Sequence, residues 1–196
     1  MYDATSLHEE FDGERVPPGQ RETTRFPVLS KSGTPSVDLS EWTLDVWGAV
    51  NERLELDFDA LRGLDTEPQR QDFHCGTGGS RLDNEFTGVT FPTIVEAAGV
   101  TDEAVHVMFH AADGYTTNLP LDTCTRREML VTWEHDGERL PADHGGPVRV
   151  VVPHRYAYKG AKWLTGIEFL TEPERGYWEK RGYSNTANPW NEERYA

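Results

Sequence analysis

Three short segments hold the residue types that could do chemistry. The first is DFHCGTGGSR, residues 72 to 81, where a strand-like run ends at His74 and Cys75 and passes into a loop with three glycines and two hydroxyl side chains. Glycines there let backbone N–H groups approach a bound anion or cofactor, and they let a thiolate be presented without crowding. The same features also suit a small buried cysteine beside an ordinary turn. A thiol nucleophile would need a base, and His74 is poorly placed to serve Cys75 because successive strand residues face opposite sides. No second Cys or His pair has the spacing of a zinc finger.

The second segment, HGGPVRVVVPHRYAYKGAKW at residues 144 to 163, gathers His144, Arg149, His154, Arg155, Lys159 and Lys162 in a chain whose formal charge is -15. Two of the four lysines fall there. Such a local concentration of donors suits a phosphate-bearing ligand, and it equally suits ion pairs with the abundant carboxylates. The third segment is DGYTTNLPL, residues 113 to 121. Its Asp-Gly is a turn signal, and Tyr115 is either a site donor or a half-buried aromatic.

Positioning these residues falls to a sheet-rich frame. Alternating runs at residues 42–47, 54–58, 105–109, 129–133, 148–152 and 167–170, rich in Val, Trp and Phe, indicate half-buried strands. Residues 90–98 read as a helix with Thr90 as cap, Pro92 in the first turn and Gly99 as stop. Residues 59–64 and 121–127 are weaker helix candidates, and HDGE at 135–138 reads as a hairpin turn. Strands interleaved with short helices give an α+β class that is mainly β, with mixed sheets, because a doubly wound fold would need longer crossover helices.

A chain of 196 residues suits one core. Residues 1–38, punctuated by PPGQ, FPVL and SGTP, are expected to form an extended arm packed on a single domain at 39–196. The aromatic tail GYWEKRGYSNTANPWNEERYA is expected to pack back onto that domain. The acidic surface disfavours nucleic acid and anionic membranes as partners, and its poverty in lysine suits a salt-adapted, halophilic cytoplasm. No apolar stretch approaches the roughly 18 residues that span a bilayer, and the first twenty residues show no export signal, so Cys75 and Cys124 are expected to be free thiols.

Taken in order, PPGQ with FPVL, WTLDVWGAV, DFHCGTGGSR, GVTF, FHAADGYTTNLPL, LPADHGGPVRVVVPHRYAYKGAKWLTGIEF, GYWEKRGYSN and the late PW resemble the molybdopterin-binding domain of the sulfite oxidase family. The likeness extends over most of the chain and is nearest to the small single-domain bacterial and archaeal members. It implies one molybdenum-molybdopterin cofactor per chain, with Cys75 as the only protein ligand to the metal. It further implies that His144, Arg149 and Lys162 hold the pterin and its phosphate, with Lys159, His74 and Thr77 as further cofactor contacts. Tyr115 matches an active-site tyrosine, and Arg81 and Arg155 are candidates for anion contact.

The activity so implied is two-electron oxygen-atom transfer on a small sulfur or nitrogen oxyanion or oxide, with an unidentified electron-transfer partner. A pterin-binding carrier without turnover and a metal-free thiol enzyme using Cys75 stay open beside it. Family members commonly carry Val and Trp where this chain has Gly76 and Gly79. One wall of the pocket is therefore expected to be more open than usual.

Overall fold

The structure, a computed structural model, describes residues 1–196. In chain order its strands are β1 (Tyr2–Asp3), β2 (Arg21–Glu22), β3 (Thr43–Gly48), β4 (Leu54–Asp57), β5 (Thr66–His74), β6 (Gly79–Thr90), β7 (His106–Ala111), β8 (Thr116–Pro120), β9 (Leu130–His135), β10 (Glu138–Arg139), β11 (Arg149–Val151) and β12 (Leu164–Leu170). Three short helices accompany them: α1 (Phe58–Arg62), α2 (Phe91–Ala98) and α3 (Leu121–Cys124).

The strands form two mixed sheets. One runs β1-β5-β6-β9-β10, with β11 also on β9 and β2 also on β6; the other runs β4-β3-β12-β7-β8. Three pairings are parallel, β1 with β5, β2 with β6 and β3 with β12, and the others are antiparallel. The main core draws on both sheets: Leu44 and Val46 of β3, Val107 and Phe109 of β7 and Ile167 and Phe169 of β12 join Val89, Val131 and Val150 of the first sheet, with Phe91 and Ile94 of α2. Apolar residues two apart share a strand face, which is why Leu44 and Val46 are buried while Thr43 is exposed.

Local chemistry accounts for several boundaries. Pro92 sits in the first turn of α2, and Gly99 ends it in the left-handed conformation at φ 58°. The Thr90 side chain makes no capping bond to the helix; its hydroxyl pairs with that of Thr93 instead. Asp136 and Gly137, both at positive φ, form the two-residue loop between β9 and β10. The run at 54–58 is divided, because Asp57 accepts a hydrogen bond from the Ala60 N–H and caps α1, so Phe58 opens a helix.

Beside the two-residue strands β1, β2 and β10, two longer strands lie where no alternating run was visible. β6 is the longest strand in the chain, yet its first half, GSRLDNE, presents no apolar face; β8 occupies TTNLP, which reads as a turn followed by polar residues. The last twenty residues do pack back. Glu179 is fully buried, Trp190 stacks on Phe11 at 4.7 Å, and the Ala187 carbonyl accepts the Tyr156 N–H.

Candidate active site

The turn between β5 and β6 presents Cys75. The Cys75 N–H donates to the Gly79 carbonyl and the Gly78 N–H returns to the Cys75 carbonyl, with Gly78 at φ 101°, a conformation that favours glycine. The thiol enters a cavity of about 410 Å³ walled by the hairpin, by Tyr115, by Arg149 and the 157–163 segment, by arm residues from Pro27 to Lys31, and by Trp178, Tyr183, Arg194 and Tyr195 of the tail. Cys75 Sγ lies 3.1 Å from Thr77 Oγ1. Either atom can donate while the sulfur is protonated, and only Thr77 can donate to a thiolate.

Three cations line this cavity outside any ion pair, Arg149, Lys162 and Arg194, and the first two meet on one wall. Arg149 is 3% exposed, and its guanidinium donates only to the carbonyls of His144 and Val150; burial pulls it down to about 10. Lys162 donates to the Asp143 carbonyl at 2.8 Å and is drawn down to about 8, first by burial and then by Arg149. Gly145, at φ 105°, lets them converge: a Cβ there would stand 2.9 Å from Lys162 Cβ and 3.1 Å from Arg149 Cβ. In a chain of net charge -15, a buried Arg149 and a half-buried Lys162, neither of them in an ion pair, define an anion-holding wall.

Tyr115 lines the cavity with its ring, while its hydroxyl donates to the Tyr158 carbonyl. Burial, followed by Glu179, raises that phenol well above its ordinary range, so it stays protonated. His144 stands beside the cavity, stacked on Phe26 at 4.3 Å with its carbonyl accepting from Arg149. The structure thus brings Cys75, Thr77, Tyr115, Arg149 and Lys162 to one cavity, with His144 beside it.

Four other candidates lie off the lining. His74 faces the opposite side from Cys75: its Nδ1 meets Ser80 Oγ at 2.9 Å, its ring packs on Trp190, and burial lowers it to about 4. The Lys159 ammonium is fully buried and donates to Glu179 at 2.6 Å and to the Asn118 carbonyl, an arrangement that turns it away from the cavity. Arg81 is held by Asn84, His135 and Asp136. Arg155 donates to the His154 carbonyl, among groups that include Arg126, Asp122 and Glu193.

The wall expected to be open is covered. A Cβ on Gly79 would meet the Thr23 methyl at 3.1 Å, and one on Gly76 would meet the Tyr158 ring at 3.7 Å. The arm and Tyr158 therefore stand in space that larger side chains would take. Residue types alone did not point to Leu29, Lys31, Trp178, Tyr183, Arg194 or Tyr195, which reach the cavity from the two ends of the chain. The one available signal was density: Lys31 is among only four lysines, and the tail is rich in aromatics.

A single thiol beside cations that stand in no ion pair fits a metal cofactor that carries its own anion. No group of three or more His, Cys, Asp or Glu side chains is arranged around a metal position, so a metal at Cys75 would draw its other ligands from a bound organic group. Residues 31–178 match the model of the oxidoreductase molybdopterin binding domain. The chain belongs to that family and is a molybdopterin-binding oxidoreductase of sulfite oxidase type. It is 44% identical to the uncharacterized oxidoreductase YuiH of Bacillus subtilis over 196 residues, all of this chain and 98% of that one.

Mouse mitochondrial sulfite oxidase is 28% identical over 189 residues, 86% of this chain; the chain spans 33% of that enzyme's length. The sulfane dehydrogenase SoxCD of Paracoccus pantotrophus shares the fold at a TM-score of 0.68 and 18% identity, over 77% of this chain and 43% of that one. No helix is long and apolar enough to cross a membrane.

Proposed function

We propose that the chain holds one molybdenum-molybdopterin in this cavity and uses it for oxygen-atom transfer coupled to two-electron redox on a small sulfur or nitrogen oxyanion or oxide. The observation that carries the proposal is the meeting of Cys75 with Arg149 and Lys162: a lone thiol and two cations that hydrogen-bond to carbonyls and stand in no ion pair. When bound, the cofactor supplies the oxygen-transfer and redox chemistry. The chain supplies placement and electrostatics.

In this reading Cys75 is the thiolate ligand and Thr77 donates to its sulfur, a contact of the kind that tunes a metal's potential. Arg149 and Lys162 hold the pterin phosphate, and the Arg149 guanidinium keeps His144 in place through its carbonyl. Tyr115 and the tail aromatics exclude water around the thiolate. Arg81, Arg155, His74 and Lys159 support the fold in this account. An electron-carrying protein partner exchanges electrons with the site, and the acidic, lysine-poor surface supports a cytoplasm of high ionic strength as the setting.

Metal and phosphorus analysis of protein from a molybdenum-replete host tests the proposal. The expected result is about one molybdenum and one pterin phosphate per chain. Protein free of both would reject it and favour a thiol enzyme. Full loading without turnover on any sulfite, sulfoxide or N-oxide would favour a carrier.

A further inference from the structure

We infer that the chain carries a second binding site, for a protonated aliphatic amine, in a groove on the outer face of the β4-β3-β12-β7-β8 sheet. The groove has a volume of about 440 Å³, within the range of small-molecule sites, and shares no lining residue with the Cys75 cavity.

Strand alternation builds it. In β3, Leu44 and Val46 enter the core, so Thr43, Asp45 and Trp47 face outward and line the groove. Gly166 of β12 is the cross-strand partner of Asp45. A Cβ on Gly166 would stand 2.7 Å from the Trp47 ring, so glycine is what lets the indole lie against β12. His110 of β7 meets the same ring at 5.0 Å and is itself held by Glu168 at 2.9 Å. The half-buried indole is therefore fixed from two strands.

Charge on this lining has one sign. Asp38, Glu41 and Asp45 contribute carboxylates, and no Lys or Arg is among the lining residues. The Ser40 N–H and hydroxyl both donate to Asp38, which holds that carboxyl below its ordinary range and keeps it ionised. The mostly exposed Arg53 stands 3.6 Å from Asp45 Oδ2. Asp45 Oδ1, by contrast, is buried and receives no donor. A carboxylate oxygen can only accept, and burying one without a donor is unfavourable.

These features select the ligand. The orphaned Oδ1 calls for an N–H, and a protonated amine brings one together with the positive charge that the lining lacks. The Trp47 ring suits the ammonium and its methylenes; Lys162 over Trp163 at 4.4 Å is the same pairing elsewhere in the chain. Val37 and Ala112 give the alkyl chain an apolar wall. A metal ion lacks its ligands, since no group of three His, Cys, Asp or Glu side chains surrounds a metal position. A quaternary ammonium has no N–H to offer Asp45.

The test is a titration of the full chain at constant ionic strength, followed by the tryptophan indole N–H resonances, with the Trp47 signal assigned by its loss in Trp47→Phe. n-Butylammonium is expected to shift that signal saturably at one equivalent per chain, and tetramethylammonium to bind at least about tenfold more weakly. In Asp45→Asn, which keeps the shape and removes the charge, the affinity for butylammonium falls about tenfold while the thermal midpoint does not fall. No saturable shift, equal affinity for the two cations, or undiminished binding in Asp45→Asn would each overturn the inference. Tighter binding of a peptide carrying a single lysine than of butylammonium would also overturn it, in favour of a protein partner.

Discussion

Arg149 and Lys159 come from the same basic segment, both are buried, and the fold treats them oppositely. Lys159 has its counter-charge in Glu179 at 2.6 Å, and Thr117 also donates to that carboxylate. Arg149 has only carbonyls. A buried cation with its own carboxylate is complete and ties elements together, here the tail to β8 and the 157–159 turn. A buried cation without one is tolerated where a ligand brings the missing charge. The comparison separates structural from ligand-binding charge within a segment whose composition is uniformly basic.

The largest expected effect comes from breaking the complete pair. Glu179→Ala leaves the Lys159 ammonium buried and unpaired, which costs about 3 to 5 kcal/mol, read as a loss of thermal or denaturant stability. The double variant Glu179→Leu with Lys159→Met should recover most of that loss, because an apolar pair can replace a buried ion pair. A small effect in the single variant would show that the pair is not the tie described.

Arg149→Leu should behave in the opposite way. The cofactor-free protein keeps its thermal midpoint or gains, since an uncompensated buried charge has gone, while cofactor retention falls by about tenfold or more. Loss of fold with unchanged retention would invert the comparison.

Lys162 sharpens the comparison through pH. Its ordinary value is 10.5 and its folded value about 8, because of burial and the neighbouring Arg149, with Asp143 and Asp113 opposing. Below pH 8 the folded and unfolded chains both carry the charge, and the burial penalty is fully present. Between 8 and 10.5 the folded chain releases its proton first, so the penalty is relieved as pH rises. The cofactor-free wild type should therefore gain stability relative to Lys162→Met from pH 8 to 10, and inorganic phosphate should bind more weakly over the same range. A flat difference would remove Lys162 from the anion wall.

The smallest expected effect is that of salt on the whole surface. With a net charge of -15, raising potassium chloride from about 0.1 to 1 M, which shortens the Debye length from about 10 to 3 Å, should raise the thermal midpoint by a few degrees. A fall would argue against a salt-adapted surface.

Much of the frame was legible because its signals are local. The helix that Pro92 opens and Gly99 ends, and the Asp136-Gly137 hairpin, are set by residues within one or two turns of each other. The first half of β6 was not legible, since Arg81 reaches His135 and Asp136, and Asn84 reaches the Gln71 carbonyl and His135, which leaves no apolar alternation.

The same contrast governs the site. Cys75 and Thr77 could be placed from one hairpin, and Arg149 and Lys162 from one basic segment. The commitment of Lys159 to Glu179 depends on a partner twenty residues away, and that of Arg81 to Asp136 on one fifty-five away. Walls supplied by Leu29 and Tyr195 from opposite ends of the chain have no local pattern at all.

The central claim is that the Cys75 sulfur is bonded to the metal. X-ray absorption at the molybdenum edge tests it most directly, applied to wild-type protein and to Cys75→Ser at matched molybdenum content. The account requires one sulfur scatterer to disappear in the variant, together with the thiolate charge-transfer absorption. An unchanged sulfur shell in fully loaded Cys75→Ser protein would contradict it.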